Sequence, residues 1–180
     1  MKILKTVLIV LAAIIAIWLI VAAFISGDCK YEKSISINAP AEKVWGNVNS
    51  LKAMDQWSPW NEKDPNLRKT FTGIDGTVGA KECWESNVKD LGNGCQTLST
   101  IDHQNKRIDA DLKFLTPYES EAKGYITVVP EASGSKVTWG FTSEIPYPFT
   151  IMKLFMNLDD AVGKDYTLGL QKLKKISEKP

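Results

Sequence analysis

The chain has 180 residues and a formal net charge of +1, from 22 Lys and Arg against 21 Asp and Glu. That length suits one domain and leaves little beyond it. A near-neutral charge without a long basic run excludes the electrostatic footprint of a nucleic-acid-binding protein.

The first element stands at the start. From Thr6 to Gly27 no residue is charged, and Val7–Ile25 is almost entirely Val, Ile, Leu and Ala. At about 1.5 Å of rise per residue, roughly 20 such residues span the hydrocarbon core of a bilayer. Residues 1–27 are therefore expected to form a transmembrane anchor, and residues 28–180 the domain it carries. A cleaved signal peptide is the rival reading, with Lys2 and Lys5 as its charged start and Val21-Ala22-Ala23 as a small-residue cleavage site. Signal-peptide apolar regions run about 7–15 residues, shorter than this one. Cys29 makes a poor lipid-attachment site, because Asp28 stands where a small residue belongs. With Lys2 and Lys5 kept inside, the positive-inside rule predicts a cytoplasmic N-terminus and a C-terminal domain on the outer side, periplasmic or extracellular. Lys30 and Lys33, just past the span, weigh against that orientation.

The segment YEKSISIN, residues 31–38, alternates Tyr31, Ile35 and Ile37 with polar neighbours, as a half-buried strand does. It leads into APAEKVWGNV, where Pro40 suits a first helical turn and Val44, Trp45 and Val48 share a face. Leu51–Met54 fits a second short helix. The loop DQWSPW that follows, with Pro59 and then Asp64-Pro65, cannot continue it. From Leu67 onward the texture is β: LRKTFTG, GAKECWESNV and GCQTLSTI are separated by Gly, Asn and Asp turns. Ile108, Ala110, Leu112 and Phe114 then alternate with charged residues. Ala122, Gly124, Ile126 and Val128 line one side of the next strand, and Val137, Trp139 and Phe141 one side of the last. These are antiparallel strands with a wet face and a dry face.

Phe149–Glu178 is the long helical candidate that would cover the dry face. Met152, Phe155, Met156, Asp159, Gly163, Tyr166, Leu170, Leu173 and Ile176 recur at three- and four-residue steps, and so predict one inward stripe. Ile151, Leu154 and Leu158 form a second apolar row, which either the tryptophan loop buries or a membrane surface meets. The order is β, two short helices, about six strands and a long helix: an α+β fold with a curved antiparallel sheet of about seven strands.

No zinc spacing, phosphate loop or nucleophile elbow is present. A turn centred on Leu91–Asn93 would pair Cys83 with a residue near 100–102, so no disulfide to Cys95 is expected. The single histidine, His103, falls in a polar turn without a partner for general-base work. Asp159 lies on the predicted inward stripe, where a carboxylate needs a basic or hydroxyl partner.

SISINAPAEKVW, QWSPW, GTVGAKECW and LDDAVGKDYTLGLQKLKK, in that order, resemble the START-like SRPBCC superfamily, and within it the membrane-anchored bacterial proteins of polyketide cyclase/dehydrase type. The resemblance covers about residues 30–178. It implies a helix-grip fold with an apolar cavity between sheet and terminal helix, used for lipids, sterols, polyketides or similar ligands. Trp60, Phe71, Trp84, Phe114, Trp139, Phe141, Met152 and Phe155 are the candidate lining, although such a pattern also fits a filled core. Trp57 and Trp60 either cap the sandwich or line the pocket mouth. The favoured function is a membrane-tethered binding protein for an apolar small molecule or lipid. The alternatives are a cyclase/dehydratase-type enzyme working from Asp159 and Tyr166, and a partner-binding or regulatory domain with a filled core. No cofactor or metal is expected.

Overall fold

The computed structural model describes residues 2–179. Helix α1 (Lys2–Ala23) is followed after four residues by strand β1 (Asp28–Ile37). Helices α2 (Ala41–Gly46) and α3 (Leu51–Asp55) and a 3-10 turn, Pro59–Glu62, complete the first crossover. Strands β2 (Arg68–Thr72), β3 (Lys81–Glu85), β4 (Gly94–Asp102), β5 (Arg107–Phe114), β6 (Ser120–Glu131) and β7 (Gly134–Glu144) follow as a meander. A 3-10 segment (Phe149–Leu154), a π turn (Asp159–Gly163) and helix α4 (Lys164–Ser177) end the chain.

All seven strands form one antiparallel sheet in the order β1-β7-β6-β5-β4-β3-β2. Only β1 leaves sequence order. It pairs with β7 along its whole length, from Asp28 opposite Glu144 to Ile37 opposite Ser135. The two-residue period predicts the inner face, and the register joins it into rows across the strands. Ile35, Val137 and Val128 make one row, and Trp139, Ile126 and Ile108 the next. α2, α3 and the first half of this face form the core, where Val44, Val48, Leu51, Leu98, Ile108, Val137 and Leu173 are almost fully buried. Burying each such aliphatic side chain contributes about 1.5–3 kcal/mol.

Two expectations fail here. Phe149–Glu178 is not one helix. The Asn157 side chain bonds locally, accepting from the Asp159 amide at 3.1 Å and donating to Asp160 at 2.7 Å, a competition that Asn brings to any helix. The π turn after it widens the helix by a residue per turn. The projected stripe is thereby broken: Tyr166, Leu170 and Leu173 are buried, whereas Met152, Phe155, Met156 and Asp159 are exposed.

The second failure concerns the cysteines. Cys83 and Cys95 are directly opposite across β3 and β4, with Cα atoms 4.0 Å apart, and form a disulfide. The connection is longer than the DLGNG turn assumed. It runs from Ser86 to Asn93, held by the Leu91 and Gly92 amides donating to the Val88 carbonyl and the Ser86 amide donating to the Asn93 side chain. The register is consequently centred about three residues earlier, at residue 89. Cys29 is the free cysteine and is buried.

Candidate functional site

The inner face changes character toward the end of the sheet where β1 begins and β7 ends. Trp139 is the boundary. Its indole stacks on the Tyr166 ring of α4 at 4.1 Å, while Trp57 and Trp60 meet it edge-on at 5.0 and 5.5 Å. Tyr31 and Phe141 extend the cluster, at 5.5 and 6.2 Å from Tyr166. Offset-stacked and edge-to-face pairs of this kind add about 0.5–1.5 kcal/mol each beyond area burial. The two tryptophans of the DQWSPW loop divide the work. Trp57 is 2% exposed and donates its indole N–H to the Asn47 carbonyl at 2.9 Å, so it belongs to the core. Trp60 is half-buried, and its turn is clamped to α4 by the ion pairs Lys172–Glu62 and Lys63–Asp165.

Beyond Trp139 the sheet's inner face is only half-covered. Phe141, Ala122, Leu112, Phe114, Trp84 and Phe71 all point inward by register, and all are half-buried rather than buried. Small residues lie between them: Gly94 separates Trp84 from Phe114, and Gly124 pairs with Phe141. Trp84 lies against Gly94 and 5.9 Å from Phe114, and Leu112 leans over Gly124. The result is a half-exposed apolar trough along the inner face, in which the Trp84 ring and the Leu112 side chain lie over the two glycines.

The trough also carries polar groups that the sequence reading missed. Glu82 is inward-facing and 3% exposed. It pairs with Lys69 at 3.0 Å and accepts from the Gln96 amide, while Lys69 also pairs with Asp55 at the end of α3. A carboxylate so buried requires such partners. The signal was present: in KECWE an inward Trp84 makes Glu82 inward by the two-residue period.

The other candidates fall elsewhere. Asp159 is 67% exposed at its side chain and accepts from the Tyr31 hydroxyl at 2.5 Å, with Lys33 at 3.0 Å. The Tyr31 hydrogen bond and then Lys33 hold its pKa below the ordinary carboxylate value. Burial and that same hydrogen bond push Tyr31 up. Tyr166 faces Trp139 instead of Asp159, and burial raises its pKa strongly. His103 accepts the Trp45 indole N–H at 3.2 Å through Nδ1. Met152 and Phe155 lie on the exposed segment after β7, outside the trough, as does Leu154. Ile151 and Leu158 are half-buried there.

Residues 28–178 match the protein family described as polyketide cyclase/dehydrase and lipid transport. The chain belongs to this START-like family. Solved structures share its helix-grip fold. A protein from Thermobifida fusca is 20% identical, with a TM-score of 0.62 over 82% of this chain and 92% of its own. One from Nitrosospira multiformis is 19% identical, with a TM-score of 0.58 over 82% and 94%. Ara h 8.0201 is 13% identical, with a TM-score of 0.57 over 84% and 98%. No curated protein matches the chain in sequence. At these identities the structural likeness is one of fold, and the family membership points to hydrophobic ligand binding or cyclase-like chemistry.

Proposed function

We propose that the chain is a membrane-tethered binding protein for an apolar small molecule or lipid, held in the trough between sheet and α4. The observation that carries this reading is the half-buried state of six inward-facing residues, Trp84, Phe114, Leu112, Ala122, Phe141 and Phe71, within one continuous inner face. Binding sites combine mostly apolar walls with a few fixed polar groups, and Gln96, Glu82 and Lys69 fit the second part. Those groups are already paired with one another and with Asp55, so they suit fixing a ligand's polar end better than transferring protons.

The tether in this proposal is α1, whose 22 residues carry no charge from Thr6 onward. Disulfides persist in oxidising compartments, so the Cys83–Cys95 bond supports a domain on the outer side of the membrane.

Native mass spectrometry of the full-length protein, released gently from its host membrane, tests the binding reading. A lipid or other apolar adduct should accompany the wild type and be reduced at least about tenfold in Trp84→Ala and Phe114→Ala, since each removes much of a large apolar contact. Wild type released without any apolar adduct, and without uptake from added lipid, would refute it.

A further inference from the structure

The segment between β7 and α4 is built onto the anchor helix. The Phe149 ring packs edge-on against Trp18 at 6.4 Å, and the Thr150 hydroxyl donates to the Ala22 carbonyl at 2.6 Å. Lys153 reaches the Ser26 and Asp28 carbonyls at 2.8 and 2.5 Å, and the Ile145 amide donates to the Gly27 carbonyl at 2.9 Å. Gly27 passes so close that a Cβ there would lie 2.4 Å from the Ile145 oxygen. Ala22 and Thr150 are buried by this joint. Between the last residue of α1 and the first of β1 there is thus a fixed mount and no free linker.

The joint sets a depth. The 22 residues of α1 make about 33 Å of helix, against about 30 Å of bilayer hydrocarbon. Trp18 lies about 8 Å along the axis before Ala23, which puts it about 6 Å inside the hydrocarbon edge when α1 is centred on the bilayer. A segment packed against Trp18 and Ala22 therefore lies in the same layer. Its outward side is apolar: Phe155 is 85% exposed and Leu154, Met152 and Phe149 are also exposed, beside Phe24 of the anchor at 87%. Interfacial segments bury their apolar side chains about 5–10 Å into the headgroup–acyl boundary, which is the depth the mount supplies.

We propose that residues 147–156 form a bilayer-docking collar, which, together with α1, presses the open end of the trough onto the membrane surface. Phe141 and Phe114 both lie near that end of the sheet, since Asp28 pairs with Glu144 and Ser120 with Phe114. A lipid could then pass between bilayer and trough without crossing water. The proposal requires α1 in the bilayer but not a particular ligand. The one basic side chain of the segment, Lys153, is turned back onto backbone carbonyls, so docking is apolar and does not need anionic lipid.

Spin labels on the full-length protein in vesicles of zwitterionic phosphatidylcholine test this. After Cys29→Ala, single labels go at Met152→Cys and Phe155→Cys, with Leu11→Cys as the reference inside α1. Ile74→Cys is the control: an exposed apolar residue at the opposite end of the sheet. Collision with oxygen relative to a water-soluble nickel chelate should be at least about fivefold higher at 152 and 155 than at 74, because both sit in the hydrocarbon boundary. Labels at 152 and 155 as chelate-accessible as that at 74, with Leu11 still in hydrocarbon, would overturn the collar and leave the anchor and the binding reading standing. A chelate-accessible Leu11 label would remove anchor and collar together.

Discussion

Tyr166 shows how one side chain reports on the closed part of the grip. Its phenol is buried against Trp139, and burial raises its pKa. An unfolded tyrosine ionises near pH 10. A folded pKa above that value means the stabilisation is complete below about pH 10 and is lost as pH rises toward the folded value. Urea midpoints should fall between about pH 9 and pH 11 in the wild type, and Tyr166→Phe should flatten that fall. Tyr31 and Tyr125 are raised as well, so some slope will remain. An unchanged slope in Tyr166→Phe would place this ring in contact with water. At this scale the sequence was partly legible. The inward rings on strands follow from period two. Trp57 and Trp60 did not, because a Ser-Pro loop has no period from which to read burial.

At the scale of elements, the weakest reading concerned the junction before α4. Helical periodicity can be projected through any window, and it does not register a π turn. Gly163 is the residue that permits this one. A Cβ there would lie 2.5 Å from the Asp159 carboxylate and 2.6 Å from the Tyr31 hydroxyl. Gly163→Ala should therefore push the two apart and lower the thermal midpoint, and Asp159→Asn should weaken the same contact. If they act on one contact, the double variant will be less destabilised than the sum of the singles, as neighbours sharing an interaction are. Additive effects would mean that the π turn and the Tyr31–Asp159 bond are independent. The strands were the legible elements, since alternation and turn residues marked all seven. The disulfide was not, because its register depends on how many residues the Ser86–Asn93 connection consumes, and only the folded loop shows that.

For the whole molecule, the grip has two halves with different filling. Near α2 and α3 it is a packed core. Beyond Trp139, toward the end where β1 begins, the inner face is apolar and only half-covered. Gly94 and Gly124 make room for the Trp84 ring and the Leu112 side chain, and Trp84 and Phe114 stay half-buried. The central proposal is that this trough takes up an apolar ligand, for which a bilayer lipid serves as the probe. A phosphatidylcholine carrying a photoreactive diazirine midway along one acyl chain can be incorporated with the full-length protein, irradiated, and the adducts mapped by peptide mass spectrometry. The account predicts adducts on the peptides containing Trp84, Phe114 and Phe141, in addition to α1 and residues 147–156. Adducts confined to α1 and the collar, with none on the sheet, would contradict it.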